Sequence, residues 1–409
     1  MTTIKRNPND LAIFGGAPAF QEPLHVGRPN IGDRARLLER IDDLLSRKWL
    51  TNNGPYVQEF ESRICEITGA RHCIAMCNGT IALELTIRAL ELGGEVIIPS
   101  FTFIATAHAL QWQQITPVFC DINPQTHTID PNRVEELITP RTSGIIGVHL
   151  WGRACDVDAL EEIAARRNLK LIFDAAHAFA CSSGGTMIGN FGEAEVFSFH
   201  ATKFLNASEG GAVVTNNGDL AKKIRLMNNF GFSGYDNVIY IGTNGKMSEV
   251  AAAMGLSGLE ELNEFVAVNR RNHHQYQREL EGLAGVRLLS YDDWERSNYQ
   301  YVVLEIDEAE TGVSRDAVME VLWAENVRAR RYFYPGCHRM EPYRSFFPHS
   351  RLLLPETEEV ASRVLVLPTG TAMSEPDIAA VSEIIRTVVS GGAEVSAALA
   401  RRLEPALAI

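Results

Sequence analysis

At 409 residues the chain is too long for a single hydrophobic core, so two packed lobes are expected. Apolar residues at 45% and charged residues at 22% are ordinary for a globular protein and exclude wholesale disorder. The formal net charge of -13 excludes a general nucleic-acid-binding surface and requires any anionic ligand to be met by locally gathered arginines or lysines.

Met1 to Asp10 are polar and do not resemble a secretory signal, and no run approaches the roughly 18 to 20 apolar residues that cross a bilayer. A cytoplasmic protein, not associated with membranes, is expected. The seven cysteines (Cys65, Cys73, Cys77, Cys120, Cys155, Cys181 and Cys337) are odd in number and scattered through apolar runs, which indicates reduced core residues rather than a disulfide framework. No metal site is expected: His72, Cys73 and Cys77 fit no common zinc spacing.

From about Arg71 to Asn216, short apolar, β-branched runs alternate with helical patterns. Strands are expected at 73–76, 96–98, 117–120, 144–150, 169–173, 196–199 and 212–215, with helices at 81–90, 106–112, 131–137 and 157–167. Fully apolar short strands separated by helices predict an α/β fold, a mostly parallel seven-stranded sheet covered on both faces. Too little sequence separates the last two strands for an ordinary crossover helix, so mixed strand direction is expected there. A long helix over 248–280 leads to a smaller C-terminal α+β lobe, with a strand at 299–306 and helices at 315–324 and 375–389. The expected division is 1–250 for the N-terminal segment and large lobe, 251–392 for the small lobe, and 393–409 for an Ala-rich tail.

Three segments carry chemistry. Cys77-Asn78-Gly79-Thr80 is a small-residue turn opening a helix, where unpaired N–H groups and the positive end of the helix dipole suit a phosphate. Read alone, it is equally an Asn-Gly turn with Thr80 as a cap. Asp174-Ala175-Ala176-His177 follows a strand, and in an open α/β sheet the carboxyl ends of strands line the ligand crevice. An Asp set against a pyridine nitrogen keeps it protonated and makes the ring an electron sink; the bland alternatives are a helix cap for Asp174 and a satisfied polar residue for His177. Finally, Phe197-Ser198-Phe199-His200-Ala201-Thr202-Lys203 runs into Glu209-Gly210-Gly211. A partly desolvated Lys loses proton affinity and acts as an amine nucleophile and base, although a single Lys on a turn is more often a surface residue.

Taken together, these motifs resemble the DegT/DnrJ/EryC1/StrS family of sugar aminotransferases, pyridoxal-phosphate enzymes of aminotransferase fold type I. Supporting matches are Pro99-Ser100-Phe101-Thr102-Phe103, Val148-His149-Leu150-Trp151-Gly152, Cys155-Asp156-Val157-Asp158 and Asn244-Gly245-Lys246-Met247, in the family's order. The resemblance implies that Lys203 holds pyridoxal 5'-phosphate as a Schiff base and moves the proton between the donor's α carbon and the cofactor, which cycles through pyridoxamine phosphate. It implies that Asp174 pairs with the ring nitrogen, His177 lies near the ring hydroxyl, Phe103 stacks on the ring, and Gly79, Thr80 and Ser198 contact the phosphate. Asn244 would reach the phosphate of a neighbouring subunit, which implies a homodimer with shared active sites. The chain departs from many relatives in Phe204-Leu205-Asn206 after the lysine and in Cys-Asn rather than Ser-Ser at the turn.

The family transfers nitrogen from a donor, here expected to be L-glutamate, to a nucleotide-linked keto sugar. The His-Ala-Thr-Lys approach is similar to members that aminate C4, and the whole chain to actinomycete enzymes that make dTDP-4-amino-4,6-dideoxyglucose from dTDP-4-keto-6-deoxyglucose, in deoxyaminosugar and antibiotic biosynthesis. Substrate contacts are expected from His200, Arg331, Tyr332 and His338, within a stretch where Arg328, Arg330, Arg331 and Arg339 gather positive charge among aromatic rings. The competing readings are amination at C3 or of a cyclitol ketone, and a non-catalytic cofactor-binding regulator.

Overall fold

The computed structural model describes residues 4–403. Seven strands build the central sheet: β1 (His72–Met76), β2 (Glu95–Pro99), β3 (Thr116–Cys120), β4 (Thr142–Val148), β5 (Lys170–Asp174), β6 (Ala194–Ser198) and β7 (Gly211–Thr215). Their spatial order is β1-β7-β6-β5-β4-β2-β3. Every strand lies within two residues of its expected position. All neighbouring pairs are parallel except those of β7, which runs against both β1 and β6. The loop 199–210 between β6 and β7 reverses the chain without a crossover helix and carries Lys203.

Alternate residues of each strand point to opposite faces. Ile74, Ile98, Ile146, Ile172, Val196 and Val213 face the helices α1 (Gly79–Ala89) and α2 (Ala105–Gln111) on one side. On the other side Ala75, Phe197 and Val214 join one core, while Ile97, Ile145, Leu171 and Phe173 join another beneath α3 (Pro131–Leu137) and α4 (Val157–Arg167). Both faces are covered, which is why the strands read as apolar runs rather than alternating ones.

The small lobe is α+β, as expected. Its antiparallel sheet orders Val286–Leu288, Val302–Ile306 and Val364–Leu367, packed by helices Arg315–Ala324 and Glu375–Ser390. Three expectations are corrected. The helix over 248–280 is two, Glu249–Glu260 and Leu262–Leu280, because Glu261 leaves helical geometry at φ -100° and ψ 9° and re-aims the chain from the large lobe to the small one. The strand at 299–306 begins only at Val302, since Tyr299 takes a left-handed φ of 49° that breaks the extended run, next to Asn298, whose carboxamide donates to the carbonyls of His177 and Phe179 at 2.9 and 3.0 Å. Lastly, Leu11, Ile13 and Phe20 enter the core of the small lobe, beside Leu322 and Val381, rather than that of the large one. Buried Glu325 anchors them by accepting the amides of Ala12 and Ala19 at 2.5 and 2.7 Å. In the tail, helix Gly392–Leu403 buries Val395 and Leu399 in that same core. No helix among the described residues is long and apolar enough to cross a membrane.

Candidate active site

Parallel register brings the carboxyl ends of β4, β5 and β6 to one sheet edge, with Asp174 opposite Val148 and Val196. The start of β7 arrives at the same edge, where Gly211 pairs with Ser198 on one side and Met76 on the other. A cavity of about 470 Å³ opens there, within the usual range for a small-molecule site.

One end of the cavity is the start of α1. Asn78 caps this helix by accepting the Ile81 amide at 2.8 Å, which leaves the first amides, at Gly79 and Thr80, on the cavity wall. The glycine of the Glu-Gly-Gly segment has a specific purpose: a Cβ at Gly211 would stand 2.5 Å from the carbonyl carbon of Asn78 and 2.6 Å from the Gly79 nitrogen. Only glycine lets β7 pass behind this turn. A Cβ on Gly79 would meet the Ser198 side chain at 3.1 Å, so the turn and Ser198 form one wall.

Asp174, His177 and Lys203 stand on the walls of the same cavity. Asp174 is buried; its Oδ2 accepts from the Thr106 hydroxyl at 2.8 Å and its Oδ1 from the Ala176 amide at 3.1 Å. Burial raises its pKa, and those two hydrogen bonds with the Lys203 ammonium only partly offset this. Such a carboxylate calls for a cation that the cavity admits. Lys203 is placed by a turn in which its amide donates to the His200 carbonyl at 2.8 Å, and its Nζ lies 3.5 Å from the Tyr301 hydroxyl. Burial lowers its pKa to about 8, against the pull of Asp174. His177 is held well below the usual histidine range by burial and by Lys203.

These residues fit pyridoxal phosphate: helix amides for a dianion, a buried carboxylate short of a cation, and an amine that is neutral in an accessible pH range. One consequence is a pH dependence. Because only the neutral amine adds to an aldehyde, reloading of the apoprotein with free pyridoxal phosphate should accelerate with rising pH and be half-maximal near pH 8. Stopped-flow absorbance reads this directly, and a midpoint near the ordinary lysine value would show that Lys203 is not desolvated.

Of the other expected residues, Phe103 and Tyr332 line the cavity, with Phe103 59% exposed and Tyr332 stacked on Phe333. His200 lines the mouth, and its Nδ1 is 2.9 Å from the Thr202 hydroxyl. Three lie elsewhere. Arg331 turns away from the cavity to pair with Asp316 at 3.0 Å and to cover the Tyr334 ring. His338 is buried behind the wall, bonded at 2.7 Å to Ser100 and at 2.8 Å to Glu358, where it fastens the loop rather than meeting a ligand. Asn244 is exposed and does not line the cavity of its own chain. Residues not singled out for the site are Thr106 and Tyr301; of the arginines expected to gather positive charge, Arg330 alone lines the cavity, its guanidinium 5.2 Å from the centre of the Tyr332 ring.

An amine able to add to an aldehyde, in one cavity with a carboxylate that can hold a protonated ring nitrogen at the carboxyl edge of an α/β sheet, is the working arrangement of a pyridoxal-phosphate enzyme. The chain belongs to the DegT/DnrJ/EryC1/StrS aminotransferase family, whose model matches residues 32–386. It is therefore a pyridoxal-phosphate-dependent sugar aminotransferase. It is 37% identical to the dTDP-4-amino-4,6-dideoxy-D-glucose transaminase of Shigella dysenteriae, covering 91% of this chain and 98% of that one. The GDP-perosamine synthase of Caulobacter vibrioides is 33% identical over 87% of this chain and 95% of its own. Among solved structures, DesI in the presence of its TDP-sugar product matches with a TM-score of 0.92 and 53% identity, covering 95% of this chain and 98% of that one.

Proposed function

We propose that the protein moves the amino group of L-glutamate to C4 of dTDP-4-keto-6-deoxy-D-glucose, yielding dTDP-4-amino-4,6-dideoxy-D-glucose for deoxyaminosugar biosynthesis. The observation that carries the chemistry is the meeting of the Lys203 amine and the Asp174 carboxylate in one cavity. The substrate rests on the likeness to DesI with its TDP-sugar product and to the named transaminase. Bound pyridoxal phosphate supplies the aldehyde that accepts nitrogen and the electron sink that stabilises a carbanion.

The residues then divide the work. Lys203 takes the proton from the donor's α carbon and returns one to C4 of the sugar. Asp174, oriented by Thr106, holds a proton on the ring nitrogen, while Gly79, Thr80 and Ser198 bind the phosphate. Phe103 covers the ring, and Tyr332 and His200 border the sugar. Incubating the enzyme with glutamate and the keto sugar, followed by NMR of the product, locates the nitrogen; a 3-amino sugar or no amino sugar would overturn the assignment to C4.

Both substrates are anionic, and Arg330 is the cavity-lining guanidinium without a carboxylate partner among the described residues, whereas Arg331 is bound to Asp316. Loss of a charged hydrogen bond costs about 1.5–3 kcal/mol. Arg330→Leu should therefore reduce kcat/KM about 10- to 100-fold, chiefly through KM, and Arg331→Leu should change it far less. Equal effects in steady-state kinetics would contradict this division.

We also read the enzyme as a cytoplasmic homodimer. The chain leading to Asn244 exposes Phe230, Tyr235, Val238, Ile239 and Ile241, an apolar series that a lone protomer would leave in water. Covering it with a second copy would carry Asn244 towards the partner's phosphate site. Sedimentation should give twice the chain mass at micromolar concentration; a monomer that retains full activity would exclude a shared site.

A further inference from the structure

Trp151 is fully buried and adopts φ 62° and ψ 9°, the left-handed region that a non-glycine residue occupies at a cost. Such a conformation persists where the surroundings over-determine it, and here they do. Its indole N–H donates to His127 Nδ1 at 3.1 Å, and its carbonyl lies 3.0 Å from the Tyr291 hydroxyl. His127, itself buried, then meets Glu305 through Nε2 at 2.9 Å. The backbone N–H of Trp151, held in this way, points at His177 Nδ1 from 3.4 Å.

Backbone and indole N–H groups are donors only. Each histidine that receives one accepts through Nδ1, and a neutral ring then carries its proton on Nε2. For His127 that proton is spent on Glu305. For His177, Nε2 has no partner among the described residues, and the residue lines the cavity. Ring packing leaves little freedom to flip: Trp151 and Phe333 stack on His177 at 5.9 and 5.8 Å, and Tyr301 approaches to 4.4 Å. Burial and the nearby Lys203 independently oppose a second proton on the ring.

We infer that Trp151, clamped by His127 and Glu305, is a positioning residue that keeps His177 in a single neutral tautomer, so that the cavity always meets an Nε2–H donor at this point. The natural acceptor is an anionic oxygen on the ring of the bound cofactor. That purpose rests on the proposed function, but the tautomer itself does not, since it is read without substrate.

The test is nitrogen NMR of full-length protein labelled with ¹⁵N-histidine, as purified and after cofactor removal, with His177 assigned from the missing signal of His177→Gln. A neutral ring protonated on Nε2 is expected in both preparations, and an Nδ1–H or cationic ring would overturn the inference. His127→Leu, which leaves the indole without an acceptor, should give a mixture of tautomers, and His127→Gln should restore one. A single unchanged tautomer in His127→Leu would show that the clamp does not control His177. Should that variant not fold, Trp151→Phe decides the same question, because it also removes the indole N–H. Failed transamination with an intact Nε2–H signal would count against the substrate assignment and not against the clamp.

Discussion

Replacing Lys203 by alanine should lower transamination at least about a thousandfold, since positioned proton transfer alone is worth about 10²–10⁴-fold and the same amine also serves as the nucleophile. The cavity offers no substitute. Its other nitrogen bases are His177, whose ring is walled in by Trp151, Tyr301 and Phe333, and His200 at the mouth beside Thr202. The variant should also lose the visible absorption of the lysine-linked cofactor while still binding the phosphate through the start of α1. Lys203→Arg should behave alike, because a guanidinium keeps the charge but is not a nucleophile at any working pH. Steady-state assays and absorption spectra check both variants; appreciable turnover in either would remove Lys203 from its role.

The second large effect has opposite signs for activity and stability. Asp174 is buried with a raised pKa, so the fold favours its neutral form. A carboxyl whose folded pKa lies above its unfolded value contributes stability at low pH that is lost as pH rises through the folded pKa. Asp174→Asn mimics the neutral form: its carboxamide oxygen can keep accepting from the Ala176 amide while its NH2 donates to the Thr106 hydroxyl oxygen. The apoprotein variant should therefore melt no lower than wild type near pH 7, and its advantage should shrink in acid. Turnover should nonetheless fall by about 10²-fold or more, because the charge that holds a proton on the ring nitrogen is gone. Paired calorimetry of the apoproteins and kinetics of the loaded enzymes test this; a variant destabilised at neutral pH would mean that the ionised carboxylate is a structural anchor.

The large lobe was legible because its strands are buried on both faces and announce themselves as apolar runs, and because chemistry clusters at their carboxyl ends. Lys203 was legible only in company. In isolation it is a lysine on a turn, and what marks it is the arrival of the Asn78 turn, Asp174 and Ser198 at one edge. The rest is tertiary. Thr106 reaches Asp174 across 68 residues from a helix whose sequence reads as ordinary core. Tyr301 is brought to the lysine by the small lobe. The choice between Arg330 and Arg331 depends on one backbone pair, Arg330 with Val366 at 2.9 Å, in an irregular segment where neighbours face opposite ways. No glycine or proline marks Glu261, where the expected long helix breaks, and the docking of residues 11–20 on a lobe that Ala12 meets 313 positions away, at Glu325, has no local pattern at all.

The most direct measurement is covalent. Reduction of the loaded enzyme with borohydride fixes the cofactor to the amine that carries it, and peptide mass mapping then identifies that amine. The mass of reduced pyridoxal phosphate on the peptide containing Lys203, and on no other, is the predicted result. Label on a different lysine, or no label in an enzyme that still transaminates, would contradict the account.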